Sequence, residues 1–233
     1  AFLTTLAAFR SGSGMVKLIC TKETSKALSY AYPELVKVIF DDSQSVTEIS
    51  EQLLKSINVS AACVIGPGIG LEEKTRQIIT QLVPKIHVPV LIDADALTMF
   101  GQKSFSLPKF AIMTPHLGEL ARVLKLKRVP KVTKELLDKI CFFSSSKEVV
   151  MVVKGAPTFV VLPNGSIYIC PIGDAGMATA GSGDILCGVI AGFLAQEIPP
   201  LLAVQTAIKI HGDAGKLAAK ELGSLSVMAS DIM

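Results

Sequence analysis

The sequence predicts a single α/β domain over residues 1–233, a three-layer α/β/α sandwich on a mainly parallel central sheet. Three observations carry that expectation. Short Val/Ile-rich runs recur along the chain, as buried strands of a parallel sheet require. Amphipathic helical patterns alternate with them. The length suits one large domain, and no repeat, linker or low-complexity segment divides it. Half of the residues are hydrophobic, so membrane spans are the competing explanation. The longest apolar run, Ile185–Ala195, holds two glycines and falls short of the ~20 residues a span needs, so no membrane segment is expected.

In chain order, Phe2, Leu3, Leu6 and Phe9 keep helical spacing, and Gly12 or Gly14 supplies the stop. Met15–Cys20 and Val36–Phe40 read as strands, with a turn at Tyr30–Pro33 between them. Val46, Ile49, Leu53, Leu54 and Ile57 mark a surface helix. The strand Ala61–Ile65 runs into the glycine loop Gly66–Gly70, where α/β sheets bind ligands, although a plain strand-to-helix turn explains the same residues. A helix Glu72–Leu82 and a strand Pro89–Ile92 follow. At the end of that strand Asp93 is a candidate for lining the site, whereas Asp95 is expected to cap the short helix Ala96–Phe100.

Phe110–Met113 is the next strand. His116 follows Pro115, which holds the chain extended and aims the imidazole toward the ligand edge of the sheet. Glu119, one turn later, either steers a hydrated Mg²⁺ or compensates a helix dipole. His87 is expected in a loop, and His211, in an apolar helix, as a hydrogen-bonded structural residue. After a helix Val132–Ser144 and a strand Val149–Val153, Lys154 is either a phosphate contact or a solvated strand-end lysine. Asn164-Gly165 marks a hairpin turn in the ribbon beyond it, and Leu201–Leu222 is a long alanine-rich helix.

The formal charge is +3, from 23 basic and 20 acidic residues, and the basic cluster Lys125–Arg128 with Lys131 lacks interleaved aromatics. A nucleic-acid groove needs more. Five widely spaced cysteines without a C-x-x-C argue against a disulfide framework or zinc site and for a reducing compartment, hence a cytoplasmic location.

The chemistry concentrates in Gly173–Leu194, GDAGMATAGSGDILCGVIAGFL. A helix beginning near Gly183 leaves its first N–H groups free for an anion, and a nucleotide phosphate fits such a hole. Asp184 stands beside it, equally readable as a helix N-cap or as a site carboxylate. The Lys-Ser/Thr ending of a P-loop is absent.

GMATAGSGD before an apolar helix resembles the ADP/ATP-dependent NAD(P)H-hydrate dehydratases of the ribokinase-like superfamily. IGPG (Ile65–Gly68), LIDADAL (Leu91–Leu97), TPHLGE (Thr114–Glu119) and KGAPT (Lys154–Thr158) match in the same order, and HGDAGKLAAKELG with MASD extends the match through the tail. Leu117 stands where the family has proline, a change outside the chemistry. The resemblance implies a ribokinase-like fold and dehydration of hydrated NADH or NADPH, with ADP or ATP cleaved and Mg²⁺ as cofactor. It assigns Asp184 as general base and Ala1, Gly68, His116 and Asp184 to the dinucleotide substrate. Lys154, Gly155, Ala156, Pro157 and Thr158, with Ala180, Gly181, Ser182 and Gly183, fall to the nucleotide, and Glu119 reaches the metal through water. It further implies a homotetramer, a functional link to an NAD(P)H-hydrate epimerase, and a first strand with a Gly-rich turn upstream of Ala1, which makes the 233 residues a fragment. A vitamin-precursor kinase of the same superfamily and a non-catalytic nucleotide sensor are the alternatives.

Overall fold

Short β-branched runs pair into a six-stranded sheet in the computed structural model, which describes residues 1–28 and 32–233. Its order is β3 (Cys63–Ile65), β4 (Val90–Ile92), β5 (Ile112–Met113), β6 (Val150–Val153), β7 (Thr158–Val161) and β8 (Ile167–Cys170). Pairings from β3 to β6 are parallel, and β7 and β8 are antiparallel. The β7–β8 turn is the expected hairpin, with Gly165 at φ +85°.

The sheet is buried on both faces, and the period-2 alternation of side chains sorts each strand between two cores. Val90, Ile92, Met113, Met151, Val153, Phe159 and Val161 point into one. Leu91, Ile112, Val150, Val152 and Val160 point into the other. The first core is covered by helices α3 (Val46–Ile57), α4 (Glu73–Leu82), α5 (Ala94–Gln102), α6 (Leu117–Val123) and α7 (Lys134–Lys147). Parallel strands laid down in sequential order with crossovers of one hand place every connecting helix on one side, as α4 to α7 are placed. The second core is covered by α1 (Phe2–Arg10), α8 (Ser182–Ala195) and α9 (Pro200–Leu222). Helix α8 lies against α1 through Gly188 and Gly192, where a Cβ would collide with the α1 backbone and with Ser11.

Helix α3 has the expected bounds because Ser45 and Glu48 form a capping box at its start. A further helix, α2 (Lys22–Ala27), lacks an apolar stripe and is held by the Thr21 cap. Strand β5 is shorter than expected because Phe110 is exposed and left-handed at φ 60°. Strands β1 (Lys17–Cys20) and β2 (Val36–Ile39) pair in parallel as a separate sheet over a small cluster of Leu18, Cys20 and Leu35. Part of the turn expected at Tyr30–Pro33 lies outside the described residues. Between β1 and β3 a cavity of about 890 Å³ opens, lined by Leu18, Cys20, Ala62, Cys63 and the loop Gly66–Gly68. All five cysteines are unpaired, and among the described residues no helix is long and apolar enough to cross a membrane.

Candidate active site

Carboxyl ends of β3, β4, β5 and β6 deliver Gly66–Gly70, Asp93, Thr114–His116 and Lys154 to one edge of the sheet. The backbone ties the last two together: the Lys154 N–H donates to the Pro115 carbonyl at 2.8 Å, and His116 bridges to Lys154. Helix α8 arrives at the same edge with its N-terminus foremost. Gly181 is its N-cap at φ +93°, a conformation that favours glycine, and no side chain caps the helix there among the described residues. The Ser182 N–H turns back to the Thr179 carbonyl at 3.3 Å, and the next first-turn N–H groups, of Gly183 and Asp184, remain available to an anion.

Asp184 is the third residue of α8, so it is not the N-cap. Its side chain is partly exposed, and its Oδ2 lies 3.8 Å from the Ala1 nitrogen. Burial holds its carboxyl above the usual aspartate value, and the charge of Asp93 adds to that shift. A Cβ on Gly68 would stand 3.7 Å from the same Ala1 nitrogen. Ala1, Gly68 and Asp184 are thus brought together, whereas of these only Ala1 and Gly68 line the 890 Å³ cavity. That cavity meets the site at its rim and is otherwise largely apolar; the chemistry is placed by Asp184 and the helix end.

Lys154 is not a solvated lysine. Its ammonium donates to Asp93 Oδ1 at 2.7 Å and lies 3.8 Å from Glu119 Oε2. Burial works against its charge, but Asp93, Cys187 and Glu119 outweigh that and hold its pKa above the usual lysine value. Asp93, 1% exposed, also accepts from Thr114 Oγ1 at 2.8 Å and from Cys187 Sγ at 3.2 Å. Gly183 is helical, and a Cβ there would fall 3.0 Å from Lys154 Nζ. After Lys154, the Gly155–Thr158 turn closes on itself, with Thr158 Oγ1 donating to the Gly155 carbonyl at 3.0 Å, and leaves Gly155 and Ala156 exposed.

His116 is the N-cap of α6: its Nδ1 accepts from the N–H groups of Gly118 (2.9 Å) and Glu119 (3.4 Å). An accepting Nδ1 puts the proton of a neutral ring on Nε2, which turns toward Glu119 Oε1 at 3.6 Å on an exposed side chain. Glu119 closes the capping box through the His116 N–H at 2.9 Å. With that bond, and Lys154 beside it, this buried carboxylate does not fit as the carrier of a hydrated cation. Among the described residues no group of three or more His, Cys, Asp or Glu is placed to hold a metal ion. Asp95 does not cap α5 either; it lies in the first turn and accepts from the Gly70 N–H at 3.0 Å, which fastens the glycine loop. Ser182, buried at the start of α8, pairs with His211 Nε2 of α9 at 3.2 Å. His211 is thus the hydrogen-bonded structural histidine that its apolar helix predicts, whereas Cys187, inside the apolar run of α8, gives no sequence sign of its bond to Asp93.

The profile of the NAD(P)H-hydrate dehydratase family matches residues 1–233. This chain belongs to that family. An ADP-dependent (S)-NAD(P)H-hydrate dehydratase of Xanthomonas campestris pv. campestris is 30% identical over 228 residues, which cover 97% of this chain and 78% of the relative. A bifunctional NAD(P)H-hydrate repair enzyme of Moorella thermoacetica is 31% identical, over 99% of this chain but 44% of its own length. The chain thus spans less than half of such a bifunctional relative. Among solved structures, the ADP/ATP-dependent NAD(P)H-hydrate dehydratase of Bacillus subtilis, co-crystallised with ATP and Mg²⁺, superposes with a TM-score of 0.81 at 26% identity, covering 100% of this chain and 82% of that one. A ribokinase-like protein of Enterococcus faecalis gives 0.83 at 28% identity, covering 99% and 78%. The fold of this member of the NAD(P)H-hydrate dehydratase family is ribokinase-like.

Proposed function

We propose that this chain dehydrates hydrated NADH or NADPH at the expense of ADP or ATP. The observation that carries the reading is Asp184, a partly buried carboxylate in the first turn of an uncapped helix, beside Ala1 and Gly68. A ring hydroxyl is a poor leaving group. Asp184 takes its proton as general base while the oxygen attacks the terminal phosphoryl of the nucleotide, releasing AMP or ADP. The C–O bond then breaks with loss of phosphate, a ring proton leaves, and the double bond of the reduced nicotinamide returns. Backbone N–H groups of Ala180, Gly181 and Gly183 stabilise charge on the transferring phosphoryl, while the Ser182 N–H is held by the Thr179 carbonyl. Lys154–Thr158 line the nucleotide, while Gly68 and the exposed ring of His116 receive the dinucleotide. Mg²⁺ bound with the nucleotide would neutralise phosphate charge; no step here is assigned through it or through Glu119. The five unpaired cysteines support a cytoplasmic setting, and the likeness to bifunctional repair enzymes supports a functional link to an epimerase. The homotetramer is carried by the family resemblance, and sedimentation reads it.

The test is incubation of a full-length form, which restores the expected strand upstream of Ala1, with hydrated NADH, Mg²⁺ and ADP, then ATP. The absorbance of reduced nicotinamide should return with one phosphate released per dinucleotide, at a faster rate with the preferred nucleotide. Stable phosphorylation of a thiazole or pyrimidine alcohol with no dinucleotide restored would replace the dehydratase by a vitamin-precursor kinase. Binding of nucleotide without turnover on either substrate would leave a sensor.

A further inference from the structure

We propose that Asp93 is a positioning residue, which holds the Lys154 ammonium fixed beneath the first turn of α8 for the phosphoryl-transfer step. The inference rests on the reaction proposed above. Three segments far apart in sequence converge on this one carboxylate, which follows β4: Thr114 follows β5, Lys154 follows β6 and Cys187 belongs to α8. Thr114 is fully buried and spends its hydroxyl proton on Asp93 Oδ1, the oxygen that also receives Lys154. Cys187 closes the other oxygen. The carboxylate therefore cannot rotate without losing a partner.

Lysine is a long chain with several rotatable bonds, and a free ammonium at a sheet edge would turn to water. Here it is kept inward, and α8 makes room for it: a side chain on Gly183, the second residue of the helix, would come 3.0 Å from Nζ. The cation thus lies against the backbone whose N–H groups face the anion site. A fixed charge at that place needs no reorganisation when charge develops on the phosphoryl. Asp93 also subtracts from the long-range pull of Lys154 on a nucleotide, and Glu119 does so again at 3.8 Å. Its contribution is therefore to geometry in the transition state rather than to nucleotide affinity.

The test combines kinetics with a readout that needs no turnover. Asp93→Asn should leave ADP affinity by calorimetry within about threefold while kcat falls by up to about 100-fold, the scale of a misplaced group. Paired with Lys154→Met, the losses should not add: the double variant should turn over as slowly as Lys154→Met alone, since both changes remove one unit. Separately, acylation of lysines followed by mass spectrometry should show Lys154 protected in the wild-type chain and modified several-fold faster in Asp93→Asn. If Asp93→Asn does not melt cooperatively, Thr114→Val, which removes one donor from Asp93, serves in its place and should shift acylation in the same direction by less. Additive kinetic losses, or a folded variant in which Lys154 stays as protected as in the wild type, would overturn the inference. Inactivity of the full-length form, with the segment upstream of Ala1 restored, would instead overturn the functional reading, and the acylation result would still decide the role of Asp93.

Discussion

At the scale of single residues, the site turns on which carboxylate is free. Asp93 and Glu119 are spent on Lys154 and on a helix cap, and Asp95 on the glycine loop, whereas Asp184 keeps an open face. Asp184→Asn keeps the shape and leaves the free N–H groups in place, so nucleotide affinity should persist in calorimetry while kcat drops by ~10²–10⁴-fold, the usual worth of a general base. The same residue sets a pH signature. A base works when deprotonated, and burial raises the value at which Asp184 takes up its proton. The acidic limb of kcat/KM should therefore lie above the ordinary aspartate value of about 3.9, with activity lost as pH falls through that limb. A limb in the ordinary range, with Asp184→Asn fully active, would remove Asp184 from the chemistry.

At the scale of elements, α8 is held at both ends of its task. Gly188 and Gly192 let it pack on α1, and Ser182 ties its first turn to α9 through His211. Burial pushes the His211 pKa from its ordinary 6.5 down to about 4, so the ring is neutral in the folded chain. The unfolded chain takes its proton first as pH falls. Stability from this residue is therefore complete above about pH 6.5 and is lost between that value and about 4, by roughly 3 kcal/mol if the full shift applies. Melting of the wild type against His211→Asn across pH 4–7.5 should show the gap between them closing toward acid. A constant gap would mean that His211 contributes only packing.

At the scale of the whole molecule, the two sheets are unequal. The central sheet sits between two large apolar cores, while β1 and β2 rest on Leu18, Cys20 and Leu35 beside the 890 Å³ cavity. Few buried contacts imply a low free energy of local opening. Hydrogen exchange should therefore release the amides of β1 and β2 well before those of β4 and β6, by ~10²-fold or more in protection. Equal protection would show that the two sheets open as one unit.

Much of this was legible along the chain, because strand and helix periods are local properties of sequence. The runs at Cys63–Ile65, Val90–Ile92 and Val150–Val153 are recognisable from their β-branched content, and the bounds of α3 follow from its stripe and its capping box. The glycine-rich entry to α8 likewise points to Asp184 and an anion site before any coordinates exist. Helix α2 escaped because it has a cap but no stripe, and Asp95 was misread because a cap and a first-turn residue look alike in sequence. What the tertiary structure alone decided is who partners whom. Asp93 meets Lys154 across 61 positions and Cys187 across 94, and Ser182 meets His211 across 29. Sequence carries the residue types and their local spacing. The order of strands in the sheet, fixed only when both faces are buried, brings those distant side chains to one edge and turns a lysine that sequence leaves open to solvent into a fixed charge beneath a helix end.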